Sequence, residues 1–143
     1  MAALVDTSIP VYRFDNRFAE KQKIAAELLR RGIVEDSVRL PHQAIIEFVV
    51  AVTRPIRGHV ILKQPDALRE AEEFLQQLPI LYPNEAILRG AIRGSAAYQL
   101  SWFDAHLWSY AEHYGLPEIL TEDLQHDRLY GTVRVVNPFI GLS

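Results

Sequence analysis

The chain contains no cysteine. That excludes disulfides, thiolate zinc sites and a cysteine nucleophile, and it fits a reducing compartment. Long hydrophobic runs are missing too. The longest apolar stretch, residues 44–52, is too short to cross a bilayer and carries Glu47 in its middle. No basic leader precedes it: Met1 and four apolar residues lead straight to Asp6, so no signal peptide is read and a soluble, cytoplasmic protein is expected. An excess of basic charge is also absent, with 15 Lys and Arg against 18 Asp and Glu and a formal net charge of -3. The broad footprint of a nucleic-acid binder is therefore lacking, although a local basic rim is compatible with a mildly acidic total.

Several chemistries drop out for want of their motifs. There is no His-Glu-x-x-His, no Gly-x-Ser-x-Gly and no phosphate-binding P-loop. His106 and His113 lie two turns apart on one predicted helix, with no third ligand at zinc-site spacing. Asp6-Thr7-Ser8 lacks the second Asp that a haloacid-dehalogenase-like phosphatase places where Ser8 stands. Gly90 and Gly94 sit in surroundings too polar for a membrane motif and read as a close helix contact.

What remains is an ordinary packed composition: 143 residues, 49% hydrophobic and 23% charged. The expectation is a single domain over residues 1–143 with a sizeable core. Short extended segments are predicted at 2–5, 37–40, 80–82, 118–120 and 132–136. Helices are predicted from Ser8 as cap near Pro10, over 17–31 with Gly32 as stop, over 41–54 and 66–77, from Asn84 to about Tyr98, and from Ser101 as cap to about Tyr114. Leu68, Ala71, Phe74, Leu75 and Leu78 mark the apolar face of the 66–77 helix. Residues 123–130 read as a turn or short helix. Strands alternating with helices imply a parallel α/β sheet covered on both faces, with ligands at the carboxyl ends of the strands.

Against that background a few acids are out of place. Asp6 ends the run Ala2-Ala3-Leu4-Val5. Glu47 is embedded in Ile45-Ile46-Glu47-Phe48-Val49. Asp104 follows Trp102-Phe103, and Glu122-Asp123 follow Ile119-Leu120-Thr121. A carboxylate among core-forming residues is costly unless paired, and no Lys or Arg stands beside the first three. Singly, each has a plain structural role. Asp6 serves as a turn or cap residue, Asp104 as the acid of a capping box with Ser101, Asp123 as turn chemistry, and Glu47 as a solvent stripe. Jointly, they are placed where strands end and the next helices begin, and one divalent cation can serve several of them.

These segments carry a resemblance. Leu4-Val5-Asp6-Thr7-Ser8, the helix around Glu47, Ser101-Trp102-Phe103-Asp104-Ala105, and Leu120-Thr121-Glu122-Asp123 with Val136-Asn137-Pro138-Phe139 resemble, in order and spacing, the motifs of the PIN-domain family. The likeness is strongest to VapC-like toxin ribonucleases of toxin–antitoxin pairs. The resemblance implies a three-layer α/β/α sandwich with a short-stranded, mostly parallel sheet. It implies a ribonuclease dependent on Mg²⁺ or Mn²⁺, with Asp6, Glu47, Asp104 and Asp123 on the acidic positions and Glu122 an alternative for the fourth. Thr7, Ser8 and Thr121 fall where hydroxyls would support those acids; Ser8 stands where many members have Asn. An antitoxin and a second copy of the chain are the implied protein partners, and RNA the substrate. Arg13, Arg17, Arg54 and Arg57, with Arg89 and Arg93, are candidates for phosphate contacts or are simply solvated. Trp102, Trp108 and Tyr110 are candidates for base stacking, with Trp108 assigned to the core. The competing reading is a non-catalytic PIN-like module that binds RNA or protein.

Overall fold

The computed structural model describes residues 1–141. Its sheet has the strand order β3-β2-β1-β4-β6-β5. The strands are β1 (Ala3–Val5), β2 (Val38–Pro41), β3 (Ile80–Leu81), β4 (Glu118–Leu120), β5 (Leu129–Tyr130) and β6 (Val133–Val136). All neighbouring pairs run parallel except β5 against β6. β1 is buried along its whole length, which explains its unbroken apolar sequence: a central parallel strand has no solvent face. Its alternate side chains divide the core. Leu4 packs with Ile119, Val133 and Val135 against α5 (Glu85–Tyr98) and α6 (Trp102–His113). Val5 packs with Val38 and Leu40 against α2 (Ala19–Glu35), α3 (His42–Thr53) and α4 (Gln64–Gln77). The result is an α/β/α sandwich, with the short α1 (Ser8–Tyr12) following β1.

Local signals explain most boundaries. The Asn84 side chain accepts from the Ile87 N–H at 2.9 Å and opens α5; Ser101 likewise accepts from the Asp104 N–H at 3.2 Å and opens α6. Other expectations need correcting. Gly32 does not stop α2. A Cβ there would lie 2.4 Å from Val38 Cγ2, so Gly32 lets the helix approach β2, and the helix ends instead on Asp36 in the left-handed region, φ 53°. Ser8 does not cap α1 with its side chain; its hydroxyl turns to Asp6. Leu129–Tyr130 forms a strand within a stretch expected to be turn or helix. On α4, Ala67 and Phe74 are buried while Leu68 and Leu75 stay half exposed; the buried side packs toward α3, with Phe74 edge-on to Phe48.

Gly90 and Gly94 make the α5–α6 contact anticipated for them. A Cβ on Gly94 would lie 2.5 Å from Trp108 Cε3, and that indole is fixed by its N–H bond to the Tyr130 carbonyl at 3.0 Å. Gly94→Ala gains about 1 kcal/mol of helix propensity but overpacks the ring at a cost of about 1–3 kcal/mol. A net loss of up to about 2 kcal/mol is expected, read as a lower midpoint in urea unfolding.

Candidate active site

Parallel register builds the site. Val5 is paired with Leu120, so the next residues of the two strands, Asp6 and Thr121, leave the sheet side by side. The Asp6 N–H still donates to the Leu120 carbonyl at 3.0 Å. At this edge the Thr121 hydroxyl donates to Asp6 Oδ2 at 2.8 Å and the Ser8 hydroxyl to the same oxygen at 3.3 Å. The Thr7 N–H donates to Asp6 Oδ1 at 2.7 Å. Thr121 also receives the Asp123 N–H at 3.1 Å, which folds the segment after β4 back toward Asp6. Thr7 links the other side of the site: its hydroxyl donates to Glu47 Oε2 at 3.3 Å, across from the second turn of α3. Asp104, in the first turn of α6, is held by the Ser101 hydroxyl at 2.8 Å.

The electrostatics are those of acids with too little compensation. Burial pushes the Asp6 carboxyl upward against the lowering effect of its hydrogen bonds, chiefly that from Thr121. Burial, and then the charge of Asp6, push Asp123 up to about 6. Asp6 and Asp123 work against each other: the Asp6 charge raises Asp123 further, so of the two it is Asp123 that holds a proton more readily. Glu47 is raised by burial and by the charge of Asp104, with Thr7 opposing. Among the described residues, none of Asp6, Glu47, Asp104 or Asp123 joins an ion pair, whereas Asp15, Glu27, Asp36, Asp66, Glu85, Glu112 and Glu122 all do.

Glu122 stands apart from the other site acids. Lys21 donates to its Oε2 at 2.6 Å, and the Tyr12 hydroxyl donates to its Oε1. Both carboxylate oxygens are thus engaged away from Asp6. The Lys21 ammonium lies over the Tyr12 and Phe139 rings, 5.0 and 5.5 Å from their centroids. Lys21 and Tyr12 were not legible as site neighbours, because their partner is 101 and 110 positions away and neither carries a motif. This half-buried latch ties α1 and α2 to the segment holding Asp123. Lys21→Met is expected to destabilise the fold by about 1–2 kcal/mol, between the values for exposed and buried pairs. Adding Glu122→Gln should recover part of that loss in a double-mutant cycle of unfolding free energies.

Of the arginines considered for RNA, Arg17 is engaged by Asp15 at 2.9 and 2.7 Å, Arg89 by Glu85 and Arg93 by Glu112. Arg13 lies over the Phe14 and Phe74 rings. Among the described residues Arg13, Arg54 and Arg57 join no ion pair. Trp108 and Tyr110 are buried, whereas Trp102 is exposed.

All the acids of the unpaired set are hard oxygen donors, the chemistry that suits Mg²⁺ or Mn²⁺, and the raised carboxyls mark a site short of positive charge. Among the described residues no three acids or imidazoles already converge on one ion position, so binding would draw the carboxylates together.

The PIN domain family model matches residues 3–131. The chain belongs to the PIN-domain family. No curated protein matches the chain significantly. Among solved structures, this PIN domain is similar to a toxin–antitoxin complex from Klebsiella pneumoniae, at 18% identity, 96% and 98% coverage of the two chains and a TM-score of 0.68. It is similar to DNA-bound VapBC from Salmonella typhimurium, at 15% identity, 94% and 97% coverage and a TM-score of 0.69. A sarcin–ricin-loop-cleaving VapC toxin from Mycobacterium tuberculosis is 14% identical, with 85% and 90% coverage and a TM-score of 0.61. At these identities the likeness is one of fold. Among the described residues no helix is long and apolar enough to cross a membrane.

Proposed function

We propose that this PIN domain is a metal-dependent endoribonuclease and the toxin of a toxin–antitoxin pair. The observation that carries the reading is that Asp6, Glu47 and Asp123, tied together through Thr7 and Thr121, have raised carboxyls and, with Asp104 beside Glu47, no cation among the described residues. A binding-only module has no use for such an arrangement, in which burial first, and for Glu47 and Asp123 a neighbouring acid as well, raises the carboxyl pKa values.

In this reading the four acids hold Mg²⁺ or Mn²⁺. A bound cation supplies Lewis-acid stabilisation of the scissile phosphate and a more acidic water for attack. The chain does the positioning. Thr121, Ser8 and the Thr7 N–H fix the Asp6 oxygens. Asp123, whose carboxyl is raised to about 6, would bind the ion deprotonated, and Glu47, anchored through one oxygen by Thr7, would keep the other for the ion or for orienting water. Glu122 is assigned to the latch with Lys21, which leaves Asp123 as the fourth acid. Arg13, Arg54 and Arg57 are the cations we assign to RNA phosphates, with Arg17 available once it leaves Asp15.

The partner in this reading is an antitoxin segment with an apolar face, for which the cavity of about 590 Å³ lined by Ile24, Leu28, Val38 and Leu120 is the assigned seat. A homodimer in the cytoplasm completes the proposal. The test is RNA cleavage by the purified chain with Mg²⁺ or Mn²⁺ and with EDTA, alongside calorimetric metal binding. Cleavage confined to the metal-containing reactions supports the enzyme; absence of both cleavage and metal binding leaves the non-catalytic module. Growth arrest on induction, relieved by co-expression of the neighbouring gene, tests the toxin assignment.

A further inference from the structure

We infer that the groove between α3 and the start of α6 is a seat for one unpaired RNA base beside the acids. This rests on the ribonuclease reading above and adds to it how single-stranded RNA is gripped. The groove has a volume of about 290 Å³ and is lined by Gln43, Ile46, Glu47, Trp102, Phe103 and His106. Three of these are large apolar side chains left in water: Ile46 is 55% exposed, Trp102 47% and Phe103 69%. Leaving them uncovered together is unfavourable, and nothing in the core requires it.

The lining matches a base in its chemistry. Trp102 and His106 meet edge to face with centroids 4.3 Å apart, and His106 Nδ1 lies 2.8 Å from the Trp102 carbonyl. A carbonyl only accepts, so Nδ1 carries the hydrogen and the ring is locked in place beside the indole. Gln43 offers an amide donor and acceptor, the pair of groups that reads the polar edge of a base. Aromatic surface for the face of the base and an amide for its edge are how single-stranded RNA is held. The groove is also continuous with the acids, because Glu47 forms its wall and is tied through Thr7 to the Asp6 loop. A base seated here therefore belongs to a nucleotide whose phosphate lies next to the acids. A duplex, whose base faces are stacked away, does not fit this seat.

The chain provides its own probe. It has two tryptophans; Trp108 is 5% exposed and Trp102 47%, so quenching of the emission by a ligand reports on the groove. The experiment titrates the Asp6→Asn chain, kept intact as a non-cleaving form, with a short oligouridylate, a short oligoadenylate and a short RNA duplex. Single strands are expected to quench Trp102, and the duplex is not. By anisotropy of labelled single-stranded RNA, Trp102→Ala is expected to bind roughly ten- to a hundredfold more weakly, and Trp102→Phe to recover most of that loss. Phe103→Ala, at a well-exposed position, gives the same direction without burdening the fold. Unchanged emission with single strands, or unchanged affinity in Trp102→Ala, overturns the seat. So does a Trp102 emission that shifts with protein concentration alone, which would show a second copy covering the groove. Wild-type cleavage and metal binding, measured in parallel, separate this failure from failure of the ribonuclease reading: the seat falls alone if those persist.

Discussion

Asp6→Asn is expected to lower RNA cleavage by roughly a thousandfold or more, about 4 kcal/mol of transition-state stabilisation, while the protein remains folded. Asp6 is the hub of the acid site. Its two oxygens gather the Thr7 N–H and the Ser8 and Thr121 hydroxyls, and its charge acts on Asp123. The substitution removes the charge on which a cation would depend and keeps the shape. Asn Oδ1 still accepts from Thr7, and the Ser8 and Thr121 hydroxyls can rotate to accept from the new amide.

Stability is where this variant differs from an ordinary core lesion. Losing charge-assisted hydrogen bonds costs about 1–3 kcal/mol. Removing a buried, unpaired carboxylate relieves a desolvation penalty of several kcal/mol and takes away one of the causes that hold Asp123 up at about 6. The metal-free thermal midpoint at neutral pH is therefore expected to hold or rise. Asp104→Asn makes the contrast: cleavage should also be lost, but the midpoint should fall slightly, because the Asp104 carboxylate accepts from Ser101 and its charge favours the first turn of α6 by about 0.3–1 kcal/mol. Full cleavage by Asp6→Asn, or a midpoint rise of that variant on adding Mg²⁺ as large as the unsubstituted chain's, would remove Asp6 from the role assigned to it.

How much of this could be read from the residues depends on the range of the interactions. Asn84 and Ser101 announce their helices because a cap acts within three positions. The meeting of Asp6 with Thr121 is a long-range contact, yet it follows from strand alternation, since parallel neighbours place their carboxyl ends on one edge. The Lys21–Glu122 latch has no such generator. It depends on how α2 lies across the sheet, and nothing local distinguishes Lys21 from Lys23. Gly32 misleads for a related reason: its missing side chain answers to Val38 across the α2–β2 contact, not to the end of its own helix. Ser8 is a good cap by type, but a buried carboxylate two residues back is the stronger claim on its hydroxyl. β5 is two residues long and leaves no periodicity to detect.

Raising the pH from about 5 to about 7 is expected to strengthen Mg²⁺ or Mn²⁺ binding about tenfold or more, because the ion must displace a proton below about 6 and need not above it. The proton is the one on Asp123, whose carboxyl is lifted from the ordinary 3.8 to about 6 by burial and by Asp6; Glu47, raised by burial and Asp104, acts in the same direction. The same shift fixes the sign of the stability change without metal. Between 3.8 and about 6 the folded chain holds a proton that the unfolded chain has released. The contribution is thus fully present below that window, falls as pH rises through it and stays lost above. Metal-free and metal-loaded chains should therefore diverge: thermal midpoints draw together near pH 5 and separate toward neutrality as the cation replaces the proton. Asp123→Asn removes the titrating group and should flatten both trends. Calorimetric metal titrations and thermal melts across this range decide the matter. An affinity independent of pH, or a slope undiminished in Asp123→Asn, would show that the Asp123 carboxyl is not where the ion binds.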